Sequence, residues 1–124
     1  MQTESNFHGS PSRILENDFI QLEYLASAPR IVRLVMKGFP NLFADIGNEK
    51  LTTPYGDFYL RGGHRLWHSP ESMPRTYIPD VAGVTVNEIP GGVRIDQPAE
   101  PWTHIAKSIE IRLNPTHPQV ILQH

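Results

Sequence analysis

Along most of this chain, apolar and polar side chains alternate over short runs, and turn-forming residues separate one run from the next. In residues 18–26 (DFIQLEYLA), Ile20, Leu22 and Tyr24 fall on one face, with Gln21 and Glu23 opposite. That period of two is the mark of a half-buried strand. Residues 30–37 (RIVRLVMK) set Val32, Leu34 and Met36 on one face against Arg33 and Lys37 on the other. A helix closing at Gly38 competes for this run, but its shortness and its β-branched Ile31, Val32 and Val35 favour a strand. Residues 39–56 keep no sustained period and read as irregular connection, and residues 57–60 (DFYL) as a short strand.

The second half is more regular. Residues 84–89 (VTVNEI) alternate, Pro90, Gly91 and Gly92 turn, and residues 93–97 (VRIDQ) alternate again, which predicts a β-hairpin. In residues 105–113 (IAKSIEIRL), Ile105, Ile109, Ile111 and Leu113 share a face, and residues 114–118 (NPTHP) turn the chain into a further strand over 119–124 (QVILQH). Pro70, Pro74 and Pro79 make residues 68–80 a loop, because proline cannot donate to a central ladder.

Residues 1–17 read as a polar lead, frayed at its start, and residues 18–124 as one β-sandwich domain. The pattern as a whole predicts an all-β, antiparallel sandwich of about six to eight short strands with few or no helices. The closing run QVILQH is apolar for an edge strand, which natural sheets normally protect. A truncated chain, or self-association through that C-terminal edge strand, is the expectation.

Composition narrows the partners. Proline and glycine supply 21 of the 124 residues, enough to chop the chain into short segments but fewer than disorder requires. The net charge of −2 is spread without a basic stripe, so nucleic acid is not an expected partner. No apolar run is long enough to span a bilayer and the N-terminus lacks a signal-like apolar stretch, which makes a cytoplasmic protein with no membrane partner the default. There is no cysteine, hence no disulfide, thiolate chemistry or cysteine-ligated zinc. Gly91-Gly92 lies outside any phosphate-loop pattern, and no cofactor is expected.

The densest chemistry lies in residues 61–71, RGGHRLWHSPE. On a regular strand Arg65 and Trp67 share one face while His64 and Leu66 share the other. Arg65 offers a fork of donors, His64 a donor or acceptor near neutral pH, and Trp67 a flat apolar surface with one donor. Gly62 and Gly63 would let backbone approach a ligand closely. Glu71 is either solvated or orients Arg65 or a ligand. Each has a plainer reading too: a Gly-Gly turn, a core tryptophan, a surface arginine. His64 and His68 are four apart, a metal spacing only on a helix, which the glycines and Pro70 oppose, so no metal site is expected. Trp102 is placed in the core in preference to a groove mouth.

RGGHRLWHSPE, then RTYIPD (75–80), PWTHIAKSIEIRL (101–113) and VILQH (120–124), resemble the N-terminal portion of proteins of the galactose-mutarotase-like superfamily. Within it, the likeness is to an uncharacterised bacterial family related to aldose epimerases. The resemblance implies part of a large antiparallel β-supersandwich and a small-molecule carbohydrate ligand. His64, Arg65, Trp67, Gly62, Gly63 and Glu71, on their own chemistry, are the candidate ligand-binding residues, and the resemblance raises the standing of Arg65 among them. It also implies an isomerase that opens a sugar ring with a histidine acid and a glutamate base, the glutamate lying in a C-terminal half that these residues do not include. The alternatives are a non-catalytic β-sandwich binding module and a structural β-domain that pairs through its open edge.

Overall fold

The alternating runs pair as antiparallel strands throughout. The computed structural model describes residues 2–124. In chain order the strands are β1 (Gln2–Phe7), β2 (Ser10–Glu16), β3 (Ile20–Leu25), β4 (Arg30–Met36), β5 (Lys50–Thr53), β6 (Gly56–Tyr59), β7 (His64–Arg65), β8 (Thr85–Ile89), β9 (Gly92–Gln97), β10 (Lys107–Leu113) and β11 (Val120–Gln123). They form a five-stranded sheet in the order β1-β2-β3-β4-β7, a four-stranded sheet in the order β11-β10-β9-β8, and the separate hairpin β5-β6. No helix occurs among the described residues, and so none long and apolar enough to cross a membrane.

The two larger sheets make the sandwich. Leu15, Leu22, Tyr24, Ile31 and Leu66 from the first meet Val93, Ile95, Ile109 and Ile111 from the second in one buried cluster. Each such side chain, fully buried, contributes about 1.5–3 kcal/mol of transfer free energy. A smaller cluster of Phe7, Leu25, Ala28 and Val32 lies on the other side of the first sheet. Asn17 ties the two sheets together at one end. Its Oδ1 accepts from the amides of Phe19 and Ile20 at 2.8 and 2.9 Å, while its Nδ2 donates to the carbonyls of Asn114 and His117 at 2.7 and 3.1 Å.

Three expectations change. The polar lead belongs to the sheet: β1 and β2 pair from Gln2↔Leu15 to Phe7↔Ser10, and β2 continues onto β3. Its alternation was hard to read because β1 is an edge strand whose only deeply buried side chain is Phe7. Residues 39–56 contain β5, paired with β6 across Thr53↔Gly56; this short, mostly exposed hairpin offers no apolar period. In β4, Val32 and Leu34 lie on opposite sides of the sheet, since Leu34 packs on the main cluster and Val32 lies in the smaller one. The cause is a β-bulge: Glu23 pairs with Arg33 and Tyr24 with Ile31, leaving Val32 unmatched and inverting the strand's alternation there.

At the far edge of the sandwich β11 pairs with β10 alone, and Ile121 is 46% exposed on it.

Candidate functional site

The geometry of residues 61–71 begins with a reversal of the chain. Arg61, Gly62 and Gly63 all take positive φ, of 63°, 84° and 69°. A Cβ on Gly62 would stand 2.0 Å from the Ala44 carbonyl oxygen, and one on Gly63 would stand 2.0 Å from that of Ile31. The close approach these glycines permit is therefore to the chain's own backbone, not to a ligand. The turn delivers His64 and Arg65 onto β4, where Arg65 pairs with Arg30 and His64 with Ile31.

Cross-strand partners share a face of the sheet, so Arg30 and Arg65 stand side by side. Like charges in that position repel, and the structure handles each differently. Arg30 is fully buried; its Nε donates to Asp80 Oδ2 at 2.7 Å, and its two terminal nitrogens donate to the carbonyls of Leu60 and Tyr59, each at 2.9 Å. Arg65 is half-buried and stacked on aromatic rings instead. Its guanidinium carbon lies 4.4 Å from the centroid of Phe58, 4.4 Å from Trp67 and 5.0 Å from Tyr77. Arg30 lies over the same Phe58 ring at 4.8 Å. Among the described residues, Arg65 donates to no protein acceptor. Burial, and after it the charge of Arg30, pushes its pKa down to about 10.

Trp67 follows Arg65 on the same face and is 43% exposed. With His68, Ser69 and Glu71 it lines a depression of about 220 Å³. Thr76 shapes the loop around it: its amide and hydroxyl both donate to the Ser72 carbonyl, at 2.9 and 3.1 Å. Tyr77, edge-on to Phe58 and Trp67, donates from its hydroxyl to Glu71. That bond to a carboxylate holds the Tyr77 hydroxyl above the usual phenol pKa. Both ring nitrogens of His68 are buried without a hydrogen-bond partner. Burial, followed by the charge of Lys107, lowers its pKa, so the neutral ring is favoured.

His64 turns the other way. It shares a face with Ile31 and Leu66 at the rim of the main core, its ring 5.3 Å from that of His124, and its Nδ1 is buried without a partner. Burial and then the His124 charge lower its pKa. The structure thus brings Arg65 and Trp67 together with Glu71 at the rim, and separates His64 from them. No three histidine, aspartate or glutamate side chains gather to hold a metal ion among the described residues.

Three participants carried no sequence signal of their own. Phe58, Tyr77 and Asp80 read as a strand residue and two loop residues, yet they wrap the two arginines. Arg61 is a third buried cation, over Tyr59 at 5.1 Å and donating to Ser10 Oγ at 2.8 Å. Trp102 is not in the core: it is 52% exposed, its ring 4.6 Å from that of Tyr55. The pair borders a groove of about 450 Å³ walled by Ile78, Pro79, Gln97 and Pro98. Pro98 and Pro101, both just before it, keep Trp102 out of any strand that could bury it.

Comparisons with family models, with curated proteins and with solved structures found no match to this chain.

Proposed function

We propose that this chain binds a carbohydrate on the face formed by Arg65 and Trp67, as a protein related to the aldose epimerases of the galactose-mutarotase-like superfamily. One observation carries the reading: a half-exposed tryptophan stands beside an arginine whose donors have no protein acceptor among the described residues. Sugars are recognised by such a pairing, because the C–H face of the ring lies on an aromatic plane while hydroxyls take directed hydrogen bonds. Glu71 lines the depression beside Trp67, and the Tyr77 hydroxyl bonded to it supplies a further polar atom.

Binding is what these residues support. Ring opening needs a general acid and a general base facing the same sugar. His64 faces the core rim and His124, while Glu71 is engaged by Tyr77 on the opposite face. The resemblance assigns the glutamate base to a C-terminal half outside these 124 residues. The reading proposed for these residues is therefore binding.

The test uses the chain's two tryptophans. In a Trp102→Phe background, Trp67 alone reports on sugar titration by fluorescence. Saturable quenching or enhancement that disappears in Arg65→Ala is expected. A fluorescence titration unchanged by Arg65→Ala, or an affinity measured by calorimetry unchanged by Trp67→Ala, would move the site elsewhere.

The open side of β11 favours a second, compatible reading: pairing of two copies edge to edge, with Ile121 at the seam. Light scattering should then show a concentration-dependent dimer that Ile121→Lys abolishes; a monomer at all concentrations removes this reading.

A further inference from the structure

Three guanidinium groups, those of Arg30, Arg61 and Arg65, gather at the β4–β7 edge, where burial and then the charge of Arg30 lower the pKa of the other two. Every carboxylate acting there is already committed. Asp80 takes Arg30 at 2.7 Å. Glu100, buried, takes Lys107 at 2.7 Å and the Thr103 hydroxyl at 2.8 Å. Glu71 takes the Tyr77 hydroxyl. Arg61 has only the neutral Ser10 hydroxyl and the Tyr59 ring. Among the described residues Arg65 has no oxygen partner, only three aromatic rings.

We propose that the ligand is an acidic sugar, a uronate-type monosaccharide whose carboxylate is taken by Arg65. This rests on the carbohydrate reading above and adds the charge. A guanidinium directs its five N–H donors outward in its own plane, while ring stacking occupies its faces. Phe58, Trp67 and Tyr77 meet the guanidinium carbon only through their rings, within 5.0 Å, so its N–H donors keep no oxygen partner among the described residues. In-plane approach is how a carboxylate binds a guanidinium, through two parallel bonds roughly twice as strong as neutral ones. A neutral sugar would satisfy donors but leave the charge that Arg30 opposes. A carboxylate removes both deficits at once.

The neighbouring residues set which end goes where. Glu71 repels an anion and accepts from hydroxyls, so the hydroxylated end of the ring lies on its side and the acid end at Arg65. The depression of about 220 Å³ lined by Trp67, His68, Ser69 and Glu71 lies beside Arg65 and is smaller than the pockets that enclose drug-sized ligands, which suits one sugar ring better than a chain.

The experiment compares D-glucuronate, D-glucose, acetate and inorganic phosphate as ligands of the whole chain, by calorimetry and by Trp67 fluorescence. Glucuronate is expected to bind at least about tenfold more tightly than glucose, the equivalent of about 1.4 kcal/mol. The preference should weaken with added salt and vanish in Arg65→Gln, with part of it kept in Arg65→Lys. Equal binding of glucuronate and glucose overturns the acidic-sugar inference and leaves the carbohydrate reading standing. Acetate or phosphate binding as tightly as glucuronate overturns it from the other side, since the sugar ring would then contribute nothing. A preference that survives in Arg65→Gln places the anion elsewhere and overturns the assignment to Arg65. Circular dichroism of each variant confirms that it is folded; if Arg65→Gln is not, Arg65→Lys decides, a reduced preference supporting the carboxylate at Arg65 and an unchanged one overturning that assignment. If neither sugar binds the wild-type chain, both readings fall together.

Discussion

Arg30 and Asp80, fifty residues apart in the chain, meet in a buried ion pair 2.7 Å long that fastens the loop after β7 to the first strand of the β4–β7 edge. The same guanidinium holds the carbonyls of Tyr59 and Leu60, so one side chain joins three segments. Desolvating two charges is costly, and the pair contributes to uniqueness of the fold more than to net stability. Removing one partner is a different matter, because the other is left charged in the interior. Asp80→Asn is expected to destabilise the chain by about 3–5 kcal/mol, a large share of the ~5–15 kcal/mol available to a domain of this size. Urea denaturation measures this, and a loss below about 1 kcal/mol would mean that Arg30 is held by the carbonyls alone.

Arg65 is expected to behave in the opposite way. Its cation–π contacts contribute about 0.5–2 kcal/mol, but its charge stands directly across from Arg30. The two terms oppose each other, so Arg65→Gln should change stability by no more than about 1 kcal/mol while abolishing ligand binding. A residue whose removal costs the fold little and the function much is placed for the ligand. A loss of 3 kcal/mol or more in the same urea series would make Arg65 a structural residue instead.

The paired glycines predict a sharp contrast. Gly63→Ala puts a Cβ against the Ile31 carbonyl, backbone that cannot move without breaking the β4–β7 pairing. That variant should fail to fold or lose most of its thermal stability. Gly91→Ala, in the β8–β9 turn at φ 79° with nothing within 4 Å of the new Cβ, should cost only the left-handed backbone penalty of about 1–2 kcal/mol. Thermal melts of the two variants, side by side, separate close packing from backbone preference.

Asn17 offers a test of how the sheets are joined. Asn17→Asp keeps the oxygen that accepts from Phe19 and Ile20 but loses the donor to Asn114 and His117. A loss of about 1–3 kcal/mol is expected, because two carbonyls lose their partner and a carboxylate faces them. Asn17→Asp melting like wild type would show that the inter-sheet bonds add nothing.

Much of this fold was legible because the core strands obey the simplest rule. Ile20, Leu22 and Tyr24, and Ile109 and Ile111, alternate with polar residues and are buried as their period requires. The rule failed where something other than a flat, half-buried ladder sets the pattern: a bulge at Val32, an exposed hairpin at β5–β6, an edge strand at β1. At the site, strand alternation placed Arg65 and Trp67 on one face and His64 with Leu66 on the other, as found. Phe58, Tyr77 and Asp80 were invisible because only the fold brings them to Arg65 and Arg30. No spacing in the sequence relates residues 30, 58, 65, 77 and 80.

The two histidines of the segment give a pH dependence with a definite sign. Burial is the first cause lowering the pKa of both His64 and His68, with His124 next for the former and Lys107 for the latter. Their folded values therefore lie below the ordinary value of about 6.5 that they regain on unfolding. Below that value the unfolded chain binds protons that the folded chain resists, so stability rises with pH there. The contribution is fully present above about pH 6.5 and is lost as the pH falls through and below it. Melting temperatures measured from pH 7.5 down to 5.5 should decline for the wild type and decline less for the His64→Gln/His68→Gln double variant. A double variant with the same slope as wild type would show that these rings are solvated and charge freely in the folded protein.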